Sequence, residues 1–276
     1  MIFVYKKWDA FCKALNDNGI HSISACDVTD KTDNYVVLKH DVETDVEKAY
    51  SMAEIEAKYG HRGSYYVQAY LMLSDKNIEL LSKMQHLGHE ISYHYDVLDS
   101  NHGDIEKAII EFDNNKAIFE DNGFIIKTVC QHGNPVIERV GYSSNRDFFR
   151  SKTVQEKYPE ISDIMVDFKS KVNTDYVYYS DAGRKFKMIF DPINNDIVNS
   201  DDKNIPYENL EVLLKAILKD GKCIISTHPH RWTNSAVLYC IKGFAFKIIK
   251  CTAKLLMKIP FIKKIMSRYY YLAKKI

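Results

Sequence analysis

The stretch Tyr35-Val36-Val37-Leu38-Lys39-His40-Asp41-Val42-Glu43 limits the possible folds of this chain more than any other. It is apolar and rich in β-branched residues, and it stops in His-Asp-x-Glu. An apolar run of this length reads as a strand buried on both faces, as in parallel sheets covered by helices. A helical pattern follows, so the polar cluster falls where a buried strand hands over to a helix. In α/β folds that is the carboxyl end of the strand, where ligands bind. Asp41 and Glu43 alternate along an extended backbone, so both reach one cavity. Two carboxylates with the His40 imidazole suit metal ligation and proton transfer. A solvated loop with a helix N-cap is the plainer reading of the same residues.

The alternation recurs. Residues 5–18 predict a helix with Trp8, Phe11 and Leu15 on one face and Gly19 closing it. Residues 46–59 predict a helix lined by Val46, Ala49, Tyr50, Ala53 and Ala57, stopped by Gly60. Further strands are predicted over 63–69, 89–95, 124–130, 176–180 and 223–227, and helices over 77–86, 105–121 and 206–218. Residues 134–172 mix aromatics, charges and single turn signals, and read as long loops over one end of the sheet. Strands alternating with helices call for an α/β fold with a parallel sheet, open or closed into a barrel. At 276 residues and 46% apolar, the chain can bury one large core.

Charge divides the chain into a body, 1–235, and a tail, 236–276. From Thr233 onward there are ten Lys or Arg and no Asp or Glu. The other 28 basic residues face 37 acidic ones, so the body is acidic by about nine charges. Six cysteines (Cys12, Cys26, Cys130, Cys223, Cys240, Cys251) form no CxxC pair. The opening Met1-Ile2-Phe3-Val4 is too short an apolar run for a signal peptide. Reduced thiols in a cytoplasmic protein are therefore expected.

Five predicted strands end in the same kind of residue. They end at His40-Asp41, His94, His132, Asp181 and His228. Parallel strands point their carboxyl ends to one side, so these residues should converge although far apart in sequence. Each alone reads as a satisfied histidine or a turn aspartate; five at matching positions read as a site.

With these motifs in view, the sequence resembles the polysaccharide deacetylase superfamily, in the branch found with bacterial surface-polysaccharide genes. The resemblance rests on Leu38-Lys39-His40-Asp41-Val42-Glu43 and on Ala53-Glu54-Ile55-Glu56-Ala57-Lys58-Tyr59-Gly60. It continues through Leu87-Gly88-His89-Glu90-Ile91-Ser92-Tyr93-His94-Tyr95 and His132-Gly133-Asn134-Pro135. It ends with Tyr179-Ser180-Asp181-Ala182-Gly183-Arg184 and Thr227-His228-Pro229-His230-Arg231-Trp232. The resemblance implies a distorted (β/α) barrel of about seven strands and a divalent metal, usually zinc. It implies removal of an N-acetyl group from an amino sugar of a surface polysaccharide or glycolipid precursor. By position, Asp41 matches the catalytic base, Glu43 the acidic metal ligand and His94 the first metal-binding histidine. His132 stands where the family places an arginine or substrate-contacting group, and His228 matches the histidine that protonates the leaving amine. Two departures stand out. The acidic ligand is Glu43 rather than Asp, and Leu98 occupies the place of a second metal histidine. His102 or His132 must complete the ligand set; His132, at a strand end, is favoured.

Such residues have the chemistry for amide hydrolysis. A bound divalent ion lowers the pKa of its water from 15.7 to about 7 and polarises the carbonyl. Asp41 would take the water's proton, and His228 would give one to the departing amine. Arg184 would hold Asp41 ionised or clamp the acyl oxygen, and Asp181 would orient His228 or Arg184. Tyr93, Tyr95, Tyr179 and Trp232 either stack on sugar rings or fill the core. The competing readings are a catalytically inactive sugar-binding or scaffolding relative, and a hydrolase of another carbon–nitrogen bond.

In the tail, Lys247, Lys250, Lys254 and Lys258 recur at helical spacing between Phe244, Ile248, Cys251, Leu255 and Ile259. Pro260 breaks the pattern before a second such segment. Lysines this frequent exclude the ~20-residue apolar run of a spanning helix. The tail is either an amphipathic helix on an anionic membrane surface, peripheral on the inner face, or a helix docked on the barrel with its lysines solvated. Nucleic acid is not an expected partner, because aliphatic surface interrupts the basic residues.

Overall fold

Residues 3–134, 137–194 and 203–256 are described by the computed structural model. Among them are ten helices and nine strands. Helix α1 (Tyr5–Asp17) leads to strand β1 (Tyr35–Val42), followed by α2 (Val46–Lys58), β2 (Gly63–Val67), α3 (Asp75–His86) and β3 (Glu90–Tyr95). The short α4 (Val97–Ser100) precedes the long α5 (Ile105–Asp121) and β4 (Thr128–Gln131). Next come α6 (Asp147–Arg150), α7 (Lys152–Lys157), β5 (Ser162–Asp163), α8 (Phe168–Lys171) and β6 (Val177–Ser180). The chain continues through β7 (Lys187–Met188), β8 (Ile205–Pro206), α9 (Leu210–Asp220), β9 (Lys222–Thr227) and α10 (Ala236–Leu256).

The strands form one sheet in the order β5-β4-β3-β2-β1-β9-β6-β7-β8. Every pairing from β5 to β6 is parallel, which gives seven parallel strands; β7 and β8 add an antiparallel edge. The sheet curls until its two outer parallel strands meet through side chains. Tyr176, just before β6, donates to Ile164 O at 3.2 Å beyond β5 and packs on Phe168. Inside the curl lie Tyr35, Val37, Tyr66, Cys130, Met165, Tyr178 and Ile224. On the outer face, α2, α3 and α5 cover β2 and β3, while α1 and α9 cover β1 and β9. This is the distorted (β/α) barrel that the resemblance implies; the strand–helix alternation alone left the parallel sheet open or closed.

Helix starts follow local chemistry. Asp45 accepts from Lys48 N at the start of α2, Asp104 from Lys107 N at α5, and Asn209 from Val212 N at α9. Two predictions need correction. The strand placed at 124–130 begins only at Thr128, because Phe124 and Ile126 are buried in the helix-facing core without pairing. The region 134–172 is not all loop. Phe148, Phe149 and Tyr158 pack on Phe112 with Val154 in the same core, and that burial folds α6 and α7. The tail begins in α10; Lys258, Pro260 and the second tail segment lie outside the described residues.

Candidate active site

Strand alternation decides what reaches the barrel's upper rim. On β1 the interior side carries Tyr35, Val37, Lys39 and Asp41, with Glu43 next beyond the strand. His94 on β3, His132 after β4, Asp181 after β6 and His228 after β9 arrive at the same end. One carboxylate oxygen of Glu43 and one ring nitrogen each of His94 and His132 lie within 4.8 Å of one another. His132 Nε2 lies 3.3 Å from Glu43 Oε1. His228 Nε2 is 3.8 Å from Asp41 Oδ2 and 3.9 Å from Glu43 Oε1.

His40 is the exception among the strand-end residues. As the neighbour of Asp41 it must point the other way, and it lies fully buried against Glu56 and Tyr65 on the helix-facing side. It takes no part in the site. His102 is also excluded from the cluster; it sits exposed in the turn after α4. Leu98 is buried in the core between β3 and α5.

The cation against Asp41 is Lys39, not Arg184. Lys39 Nζ donates to Asp41 Oδ1 at 2.5 Å and to Ser226 Oγ at 3.2 Å, and both charged side chains are buried. Burial alone would raise the Asp41 carboxyl. The Lys39 ammonium, His94 and His228 together outweigh it and hold the group below its usual range. Arg184 occupies the turn after β6 at φ 63°, where its guanidinium feels Arg231, Tyr239 and Asp181. Lys39 was legible in the sequence as a charge inside an apolar strand, two residues before Asp41 and therefore on its face.

Asp181 is fully buried and satisfied on both oxygens. Oδ1 accepts from Arg231 Nη1 at 2.7 Å and lies 2.6 Å from His228 Nδ1; Oδ2 accepts from Thr227 Oγ1 at 2.9 Å and His228 N at 3.0 Å. Burial would raise its pKa, but Arg231 first and then His228 hold it well below the carboxylate range. The contact fixes the His228 ring and leaves Nε2 facing Asp41 and Glu43. Arg231 was missed from sequence because it is three residues past the strand-end histidine, in a 3₁₀ turn that brings it back.

The donor set fits a divalent cation. His94 Nδ1 lies 3.0 Å from Cys130 O, so that nitrogen carries the proton and Nε2 keeps its lone pair. Burial pushes the pKa of His94 down to about 3, which keeps the ring neutral. Asp41, His94 and Cys130 also place ligand atoms within 4.8 Å of one another. Burial raises the Cys130 thiol well above its usual pKa, and a protonated thiol is a poor ligand. Glu43, His94 and His132 are the better set, matching the one-carboxylate, two-imidazole sets that hold catalytic zinc.

The four aromatics that read as stacking platforms or core are core. Trp232 is fully buried and donates to Thr227 Oγ1, Tyr95 bonds Asp163, Tyr179 bonds Asp220, and Tyr93 packs on Phe112 and Phe119. The aromatic at the mouth is Tyr70, half exposed, whose hydroxyl donates to Glu43 O at 2.5 Å. Beside it a cleft of about 300 Å³ is lined by Gln68, Tyr70, Asp96, Glu111 and Asn115.

No protein-family model and no curated protein matches this sequence. Solved structures do. The chain is similar to the catalytic domain of a peptidoglycan N-acetylglucosamine deacetylase from Eubacterium rectale, at 11% identity and a TM-score of 0.44, covering 79% of this chain and 86% of that one. It is also similar to a peptidoglycan deacetylase from Bdellovibrio bacteriovorus, at 13% identity and a TM-score of 0.36, over 78% of this chain and 48% of that one. A third is a mutant of a CE4 family pseudoenzyme with restored enzymatic activity, at 10% identity and a TM-score of 0.40, over 80% of this chain and 64% of that one. Two of these three are deacetylases by description.

Proposed function

We propose that this protein is a metal-dependent hydrolase that removes an N-acetyl group from an amino sugar in a surface polysaccharide or glycolipid precursor. One juxtaposition carries the reading. A carboxylate held ionised by a buried lysine, Asp41, and an imidazole held by a buried carboxylate, His228, both face the Glu43, His94 and His132 donor atoms. A divalent cation on those three, with zinc the best match to the donors, would supply an acidified water and a polarised acyl oxygen. Asp41 accepts the proton as the nucleophile attacks, and Lys39 keeps that carboxylate charged until then. His228 delivers a proton from Nε2 to the departing amine, while Asp181 stabilises the charged ring. The cleft beside Tyr70 offers an aromatic face with amide and carboxylate acceptors, which suits the hydroxyls of a neighbouring sugar.

The test uses the purified full chain with Zn²⁺ and an N-acetylated amino-sugar oligomer. Release of about one acetate per new free amine supports the reading. Oligomer binding without acetate release, with or without metal, would leave a sugar-binding or scaffolding protein instead.

We propose also that the protein works at an anionic membrane face, cytoplasmic and peripheral. Tyr239 anchors the start of α10 on Phe3, while Val237, Ile241, Phe244 and Ile248 stay exposed at one-turn spacing. The ten basic and no acidic residues from Thr233 onward complement an anionic surface. No helix among the described residues is long and apolar enough to cross a membrane. Sedimentation with phosphatidylserine-containing vesicles, weakened by salt and by Phe244→Asp, is expected; equal binding to neutral vesicles would overturn the charge argument, and none at all the proposal.

A further inference from the structure

His132 lies just past β4, at the start of a long connection, so something must hold it if it is to serve as a ligand. Its backbone is pinned on both sides. His132 N donates to Tyr95 O at 2.6 Å, and His132 O accepts from Asn145 Nδ2 at 2.8 Å. Asn145 is fully buried, and both ends of its amide are taken by Asp99. Asn145 Nδ2 donates to Asp99 Oδ2 at 2.8 Å, and Asp99 N donates to Asn145 Oδ1 at 2.9 Å.

Asp99 collects the rest of the connection as well. Arg139 grips it with two parallel bonds, Nε to Oδ1 and Nη2 to Oδ2, each 2.8 Å. The same Nη2 donates to Asn134 O at 3.0 Å, and Tyr142 OH donates to Asp99 Oδ1 at 3.0 Å. Bidentate arginine–carboxylate geometry is the strong, orienting kind. Gly103 makes room for this clamp. At φ +85°, a Cβ there would sit 2.7 Å from the Tyr142 ring. One buried carboxylate on α4 thus ties down residues 134, 139, 142 and 145, and through Asn145 the carbonyl of His132.

We propose that Asp99 is the positioning residue for His132, and that the clamp it forms holds this third ligand in place. This rests on the reading of Glu43, His94 and His132 as a metal site. The α4 segment carries Leu98, which is buried in the core and offers no ligand, and presents Asp99 to the following connection instead. The third ligand, His132, stands at the start of that connection, and the residues that hold it lie further along. Partners that orient a ligating histidine typically contribute 10–100-fold in metal affinity.

The test is calorimetric titration of Zn²⁺ into the metal-free full chain, for wild type, Asp99→Ala, His132→Ala and the double variant. Asp99→Ala is expected to weaken Zn²⁺ binding about 10–100-fold. In the His132→Ala background the same change should cost less than about twofold, because a positioning residue has nothing left to position. A merely structural role would give the same penalty in both backgrounds, and that result would overturn the inference. So would Zn²⁺ affinity for Asp99→Ala equal to wild type while His132→Ala is weakened, which leaves the metal site itself standing. A wild type that binds no Zn²⁺ would remove the metal site and this inference together. Should Asp99→Ala not fold, Arg139→Gln decides, since that side chain is partly exposed: its loss of affinity must likewise vanish without His132.

Discussion

Two acid–histidine clusters lie back to back across β1, built from consecutive residues. Asp41 faces the barrel interior with Glu43, His94, His132 and His228. His40 faces the helix layer with Glu56, His89, Trp8 and Tyr65. In the outer cluster Glu56 is fully buried. It accepts from Trp8 Nε1 at 3.0 Å and Tyr65 OH at 2.8 Å, and lies 2.9 Å from His40 Nε2. Gly63 lets that carboxylate approach, since a Cβ there would lie 3.0 Å from Glu56 Oε2. His89 receives Gly63 N at 3.0 Å and lies 3.0 Å from Ala53 O. These groups are buried, and their contacts run to one another or to backbone. In the inner cluster His228 Nε2 stops 3.8 Å short of Asp41 and 3.9 Å short of Glu43. The same residue types are closed into a strut on one face and held slightly apart on the other. That separation, not the composition, marks a place for a ligand.

Single substitutions should therefore split activity from stability. The largest effect is expected on the inner side. His228→Ala would remove the proposed proton donor, and on that reading acetate release should fall about 10²–10⁴-fold. Asp181 keeps Arg231 and Thr227 when His228 is lost, so the unfolding free energy should change little. A variant that unfolds but retains its turnover per folded molecule would reverse the assignment of the two clusters. Glu56→Ala is the outer counterpart. It leaves the buried donors of Trp8 and Tyr65 without their acceptor, at about 1–3 kcal/mol each. Urea unfolding should show that loss, at its extreme as no cooperative transition, while Zn²⁺ affinity of any folded fraction stays within about twofold of wild type. Weakened Zn²⁺ binding in Glu56→Ala at unchanged stability would mean that the outer cluster belongs to the site.

Most of the architecture was legible in the sequence because buried parallel strands and amphipathic helices write opposite periods. The helix predicted over 105–121 matches α5 residue for residue, and the tail's first helix starts where its composition changes. Side-chain direction was legible where alternation could be counted: Asp41 and Glu43 share a face, and the same count sets Lys39 with them and His40 against them. It was not legible where the chain turns irregularly. Arg231 returns through a 3₁₀ turn, and Arg184, which looked like the cation for Asp41, is diverted by a left-handed backbone. Asp99 lies on α4, whereas Arg139 and Asn145 lie in the irregular connection after β4, some forty residues on in sequence. No local pattern encodes their contact. Leu98 could be read from the sequence as a residue that offers no ligand, but the contacts of its neighbour Asp99 could not.

The smallest expected effect concerns protons on the outer cluster. Burial lowers the pKa of His89 from its usual 6.5, partly offset by Glu56, so the folded protein keeps the ring neutral where the unfolded chain protonates it. The unfolded state then binds more protons below pH 6.5, and stability must fall as pH falls through that value. The contribution is complete above pH 6.5 and diminishes until the folded state also takes up the proton. One such proton gives at most about 1.4 kcal/mol per pH unit, so up to about 2 kcal/mol between pH 6.5 and 5. Glu56 acts in the same direction lower down. Burial would raise its carboxyl but His40 holds it below 4.5, so its contribution fades only as pH drops beneath that range. Urea unfolding of wild type and His89→Gln at pH 7.5 and pH 5 separates the two. The variant should start less stable, having lost two backbone bonds, yet decline less between the two pH values. An equal decline would mean that His89 is protonated in the folded protein, and the outer cluster would then hold a mobile charge like the inner one instead of a sealed strut.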